Sequence, residues 1–269
     1  MGQPHTGDRI MKYAAVNAKI NSMKGRLLTP KDYESISKIE SAEGIKEWLV
    51  HNQRDISITP EKEAAAICLY LPDKIQKSIV MAMACRVDDG VGYYTSLWKL
   101  LNRLDKPNKG AIKSILGAEI DLTNILWMYR LKRYRRVKGD TTYGYLVPVR
   151  YRLSQAATHK MAHSETPKAL LDEVAQSPYG GELKTILQSL ERGYSKGQLT
   201  PEQQLVMAVE RRYIAAACRY PDSLVPCLAY LYRKKLEAAN TNLENHRQQH
   251  IAKNGLKPPI FRSVVDVIF

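Results

Sequence analysis

Glu119-Ile-Asp-Leu-Thr-Asn124-Ile125 and Glu237-Ala-Ala-Asn-Thr-Asn242-Leu243 share one pattern: a Glu, an Asn five places on, then an aliphatic residue. Lys12-Tyr-Ala-Ala-Val-Asn17-Ala18 repeats it in degenerate form. A second element alternates with the first. Ser41-Ala-Glu-Gly44 precedes Trp48-Leu49, and Ser177-Pro-Tyr-Gly180 precedes Ile186-Leu187. Recurrence in the same order reads as an internal repeat of similar helical units, each burying its face on the next. The expected division is a mobile segment at 1–10, a first helical unit at 11–118, a second at 119–236, and a closing helix and tail at 237–269. Asn17, Asn124 and Asn242 are polar positions on otherwise apolar faces. An amide both donates and accepts, so each is expected to tie a neighbouring helix or loop backbone.

Around this core the sequence reads as all-α. Val16, Ile20, Met23 and Leu27 step along one helical face, as do Val206, Val209, Tyr213 and Ala217, and Leu224, Leu228 and Leu231. Thr29-Pro30, Thr59-Pro60, Thr166-Pro167 and Thr200-Pro201 each set a capping hydroxyl before a Pro at the first helical position, and Gln203 completes a capping box with Thr200. Only residues 143–153 alternate like a strand, and Pro148 inside them favours an extended connection or an edge. Loops are expected at 88–92, at 105–110 and over 138–167, with a mobile or extended tail near Pro258-Pro259.

At 269 residues with 44% hydrophobic and 25% charged, the chain has the composition of a globular protein. No apolar stretch approaches the roughly 20 residues of a bilayer span, and no apolar stretch follows the charges at the start, so neither a transmembrane segment nor a signal peptide is expected. Cys68, Cys85, Cys218 and Cys227 have no paired spacing and read as reduced core residues. Lys and Arg number 41 against 27 Asp and Glu, a formal net charge of +14, which implies an acidic partner surface. Much of that excess is concentrated. Arg130-Leu-Lys-Arg-Tyr-Arg-Arg-Val-Lys138 holds six basic side chains, too many for one helical stripe, so several must face water or a partner. Arg130, Lys132, Arg133, Arg135 and Arg136 are therefore the candidate partner-binding residues. A solvated helix end, favoured by the helix dipole, is the plain alternative.

Catalytic patterns are absent: no Walker loop, no G-x-G-x-x-G and no G-x-S-x-G. His159/His163 and His246/His250 are each spaced one helical turn apart. Neither pair has a Glu directly after its first His, and no further ligands are spaced nearby, so they read as surface histidines with no metal, no cofactor and no catalytic role. Tyrosine is abundant, 16 against two Phe, and Tyr143, Tyr145 and Tyr151 suit either a contact surface or core packing with the hydroxyl at the rim.

Three stretches resemble the C-type connector family of V-type ATPases, known in eukaryotes as the d-type, which joins the central stalk to the membrane sector. They are Tyr13–Ile20 with Met23-Lys-Gly-Arg-Leu-Leu-Thr29; Glu119–Ile125 running into Arg130–Tyr134, Tyr145–Pro148 and Tyr151–Ser154; and Tyr230–Leu256. The resemblance implies an all-helical funnel-like body, or a partial funnel, since two repeated units are visible where the family usually carries three. It also implies a non-catalytic coupling role between the central rotor shaft and the membrane rotor ring of an ion-pumping or ATP-making machine. Its place would be peripheral, on the cytoplasmic side of the membrane, with other V-type ATPase subunits as partners. The competing reading is a basic helical nucleic-acid-binding protein using Arg130–Lys138. No helix-turn-helix or RNP pattern frames that run.

Overall fold

Each apolar stripe becomes the buried face of a helix, and several helices begin at a hydroxyl or carboxylate cap. The computed structural model describes residues 6–36, 38–39, 41–54, 59–85, 90–181, 183 and 201–254; in the last helix it describes side chains as far as Ala239. In chain order the helices are α1 (Thr6–Lys24), α2 (Pro30–Ile36), α3 (Ala42–His51), α4 (Pro60–Cys68), α5 (Lys74–Ala84), α6 (Gly90–Leu101) and α7 (Lys106–Arg130). A π-helical turn (Leu131–Arg135) follows, then α8 (Gly139–Gly144), α9 (Gln155–His163), α10 (Pro167–Ala175), α11 (Pro201–Arg219) and α12 (Val225–Asn254). No strand occurs among the described residues, so the fold is all-α. None of these helices is long and apolar enough to cross a membrane.

The caps follow the sequence. Ser41, Thr59, Ser154 and Thr166 accept from the backbone N–H three residues on, and Thr29 and Asp32 exchange hydrogen bonds at the start of α2. Thr200 lies outside the described residues. Three expected loops are helical in part. Residues 105–110 open α7, because Pro107 in a first turn lacks only an N–H that has no acceptor within the helix. Gly90, Val91 and Gly92 begin α6, and 138–167 contains α8 and α9. Residues 6–10, expected with the mobile start, belong to α1.

Two compact units emerge: residues 1–86 with 213–269, and residues 87–212. The boundaries drawn from the repeat, after 118 and 236, thus fall inside α7 and α12, while the packing divides the chain between helices and within α11. In the first unit α12 packs against α1, α3, α4 and α5. Val16, Ile20, Met23 and Leu27 are buried there, as are Leu224, Leu228 and Leu231. Leu28, Ile36, Ile45 and Leu49 form a further cluster with Tyr33, Ile39 and Trp48 against it. In the second unit α7 packs against α6 and α10, and α9 against α8 and α10. Each unit therefore has a central helix, and each central helix carries one copy of the repeated Glu, both buried. All four cysteines are free; Cys227 is buried, Cys68 and Cys85 are half-buried, and Cys218 is exposed rather than in the core.

Candidate functional site

The basic run leaves the end of α7, and what fixes it is a series of polar side chains buried in the second unit. Asp121 is fully buried and accepts from the backbone N–H groups of Tyr151 (3.4 Å), Arg152 (2.7 Å) and Leu153 (3.1 Å), and from the Tyr179 hydroxyl (2.8 Å). Burial, and then the adjacent Asp121 carboxylate, holds the Tyr179 phenol far above its ordinary pKa, so it stays a donor. Asn124, also buried, accepts from Val147 N–H at 2.9 Å and donates to Val147 C=O at 3.1 Å. Its amide thus stands in for a backbone partner of Val147, which lies in a stretch that forms neither helix nor strand. Asn124 thereby ties this loop to α7.

Lys132 departs from the expected surface. It is 6% exposed and donates to the carbonyls of Ala162 (2.7 Å) and Ser164 at the end of α9. A cation there satisfies C-terminal carbonyls that have no helical partner. Desolvation lowers its pKa. The physical reason for the correction is spacing: Lys132 stands eleven residues after Asp121, close to three helical turns, and so faces the same way, inward.

The remaining candidates sort by exposure. Arg133, Arg135 and Arg136 are exposed, and Arg130 is half-buried. Arg133 donates to the Tyr129 hydroxyl and lies over the Tyr129 and Tyr134 rings. Arg136 ends the π-helical turn in the left-handed region, φ 50° and ψ 40°. Exposed Tyr134, Tyr145 and Tyr151 accompany these cations, with Arg152 over the Tyr151 ring. Chemically the surface offers planar cations and amphipathic rings, suited to carboxylates or phosphates.

The other Asn copies are used differently. Asn17 in the first unit donates to Pro221 C=O at 2.9 Å, while its buried Oδ1 has no hydrogen-bond partner among the described residues. The side chain of Asn242 lies outside the described residues. In the first unit carboxylates do more of the work. Glu237 accepts from Leu28 N–H at 2.7 Å and pairs with buried Lys234. Glu63 accepts from Tyr230 Oη at 2.9 Å and from Arg26 at 3.3 Å. Burial, and then Glu63, raises the Tyr230 phenol pKa.

The sequence reading misses Asp121 and Asp140. Asp121 is detectable, as a carboxylate two places after Glu119 inside an apolar run. Asp140 is not, because its partner is distant in the chain: Asp140 Oδ1 lies 2.9 Å from His163 Nε2. The His159 and His163 rings stack at 4.0 Å between centroids, and these three exposed residues form one cluster.

A family model described as ATP synthase (C/AC39) subunit matches residues 91–242. The match runs from α6 into α12 and takes in the Asp121 and Asn124 ties and the whole basic run. No curated protein matches the chain.

Proposed function

Because the chain belongs to the ATP synthase (C/AC39) subunit family, with more than half of its length matched, we propose that it is a non-catalytic coupling component of a V-type rotary ATPase or ATP synthase. In this reading it links the central rotor shaft to the membrane rotor ring during ion transport. Nucleotide chemistry and ion movement belong to other subunits, and the chain sits peripherally on the cytoplasmic side. Family membership carries the proposal. The side-chain ties on α7 support it, because a coupling element must be stiff. Asp121 and Asn124 fasten the irregular 145–154 connection to a central helix, Lys132 in the turn that follows fastens the end of α9, and close-packed interiors transmit strain.

Arg133, Arg135 and Arg136 are the proposed contact with the ring or shaft, joined by half-buried Arg130. Charge complementarity mainly speeds and orients docking, while apolar and aromatic anchors supply affinity; exposed Tyr134 and Tyr145 suit that second role. Replacing Arg133, Arg135 and Arg136 together with Ala is expected to weaken co-purification with ring or shaft subunits at moderate salt while the chain still folds, since exposed charges contribute at most about 1 kcal/mol each. If the variant instead loses retention on DNA or heparin while association with those subunits stays intact, the basic run belongs to a nucleic-acid contact. Full assembly of the variant limits the run to a solvated helix end. Failure of the unaltered chain to co-purify with any part of a rotary ATPase overturns the coupling role itself.

A further inference from the structure

His159 and His163 stand one turn apart on α9, and the packing of α8 against α9 brings Asp140 to them. The position of His163 is enforced. Gly139 allows the close approach, since a Cβ there would lie 2.5 Å from His163 Cδ2. Tyr143 on α8 meets the His159 ring edge-on at 5.4 Å. The ligand atoms of all three residues lie within 4.8 Å of one another, on exposed side chains.

The hydrogen bonds of His163 define its chemistry. Nδ1 lies 2.9 Å from the His159 carbonyl oxygen, which can only accept, so Nδ1 carries the hydrogen. In the neutral ring Nε2 then holds a lone pair, and it faces the Asp140 carboxylate at 2.9 Å. Two acceptors in that arrangement need a cation between them. A proton is one solution, giving an imidazolium–carboxylate pair. A metal ion is the other, and the backbone carbonyl on Nδ1 is the kind of outer partner that fixes a metal-binding tautomer. His159 favours the metal, because it adds a third donor atom that a metal ion can use and a proton cannot.

We propose that Asp140, His159 and His163 bind a divalent transition-metal cation of the zinc type. Two imidazole nitrogens and one carboxylate oxygen suit zinc or its neighbours in the first transition row. Donors at about 2.0–2.2 Å from a metal stand closer together than the present outer limit, so His159 and Asp140 swing inward on binding. Solvent fills the remaining positions, as the exposure of the cluster permits. Lys132 opposes a cation here, but its ammonium is directed to the carbonyls of Ala162 and Ser164. A bound metal ties α8 to α9 just beyond the basic run, and so braces the turn that presents Arg135 and Arg136. The site requires nothing of the rotary assembly.

The test is zinc titration by calorimetry on the full chain without a histidine tag, with His246→Gln and His250→Gln removing the second pair. Cobalt absorption in the visible serves as a second readout of imidazole ligation. The expected result is one zinc per chain, with affinity lowered at least tenfold by His159→Gln, by His163→Gln and by Asp140→Asn singly, and with the cobalt spectrum altered in each. Asp140 has a side chain 96% exposed, so its replacement leaves folding intact. Absence of zinc binding in the parent overturns the proposal. So does unchanged affinity in any one of the three variants, since each supplies one ligand.

Discussion

The two central helices solve the same problem by different means. On α7 and the turn that follows, three buried polar side chains reach for backbone, while Glu119 takes the Tyr94 hydroxyl: Asp121 gathers consecutive N–H groups, Asn124 holds both sides of Val147, and Lys132 takes two carbonyls. On α12 they reach mainly for other side chains, with Tyr230 on Glu63 and Glu237 on Lys234. The difference follows from what each helix packs against. Helices α1, α3, α4 and α5 satisfy their own backbone, so polar groups on α12 pair mostly with side chains, on α12 itself or on α4. The connection at 145–154 has no ladder of its own and must be satisfied from outside. A repeated sequence therefore specifies a buried polar position on a central helix, and the neighbours determine its use.

The largest effect is expected at the ion pair of α12. Glu237→Ala strands a Lys234 side chain that is 3% exposed, and breaking a buried pair on one side costs about 3–5 kcal/mol. The double change Lys234→Met with Glu237→Gln removes both charges and keeps an acceptor for Leu28 N–H, so most of that stability should return. Chemical denaturation of the three chains measures it. If the double variant is as unstable as the single one, the pair is not what Glu237 contributes.

Asp121→Ala is the counterpart on α7. Several backbone donors and the Tyr179 hydroxyl lose a charged acceptor, and each such bond is worth about 1.5–3 kcal/mol. The exposed edge of the connection lets the freed N–H groups reach water, so the bonds do not add and a loss of about 3 kcal/mol is expected, with faster amide hydrogen exchange at Tyr151–Leu153. Exchange unchanged there would mean that the 145–154 connection is held by other contacts. Next in size is the contrast between the two described Asn copies. Asn124→Ala leaves the buried Val147 N–H unpaired and its carbonyl with Arg150 alone, and should cost roughly 1–3 kcal/mol. Asn17→Ala removes one hydrogen bond together with an orphaned carbonyl, so its net effect should stay within about 1 kcal/mol. Equal losses would make the two positions equivalent after all.

Much of this is legible in the sequence for physical reasons. Apolar stripes and hydroxyl caps are local signals, and they locate the helices; Val16, Ile20, Met23 and Leu27 are all buried as their spacing requires. The backbone-tying use of Asn124 follows from an amide on an apolar face. Reading the basic run as a block of charge puts Lys132 on the surface, whereas its register with Asp121 turns it inward. The pairing of Asp140 with His163 depends on how α8 packs on α9, which no local pattern encodes. The helical parts of 105–110 and 138–167 read as loops when Pro and Gly are taken as breakers. In a first helical turn Pro breaks nothing.

The smallest predicted effect joins stability to function, and it again compares the units. Among the described residues two non-glycine positions have left-handed backbone: Gln53, just after α3, at φ 55°, and Arg136, after the π-helical turn, at φ 50°. Helices often end in this conformation and usually place Gly there, because a Cβ in that region costs roughly 1–2 kcal/mol. Gln53→Gly should therefore stabilise the chain by about 0.5–1 kcal/mol, once the greater freedom of Gly in the unfolded state is subtracted. Arg136→Gly should give a similar gain by the same reasoning, since its side chain is exposed. The two variants should part in assembly. If the basic run contacts the ring or shaft, Arg136→Gly folds more stably yet associates more weakly, whereas Gln53→Gly gains stability with association unchanged. Thermal unfolding and co-purification measured on the same preparations separate these outcomes. An Arg136→Gly chain that is both more stable and fully competent to assemble would remove Arg136 from the contact surface and leave its left-handed Arg without a functional reason.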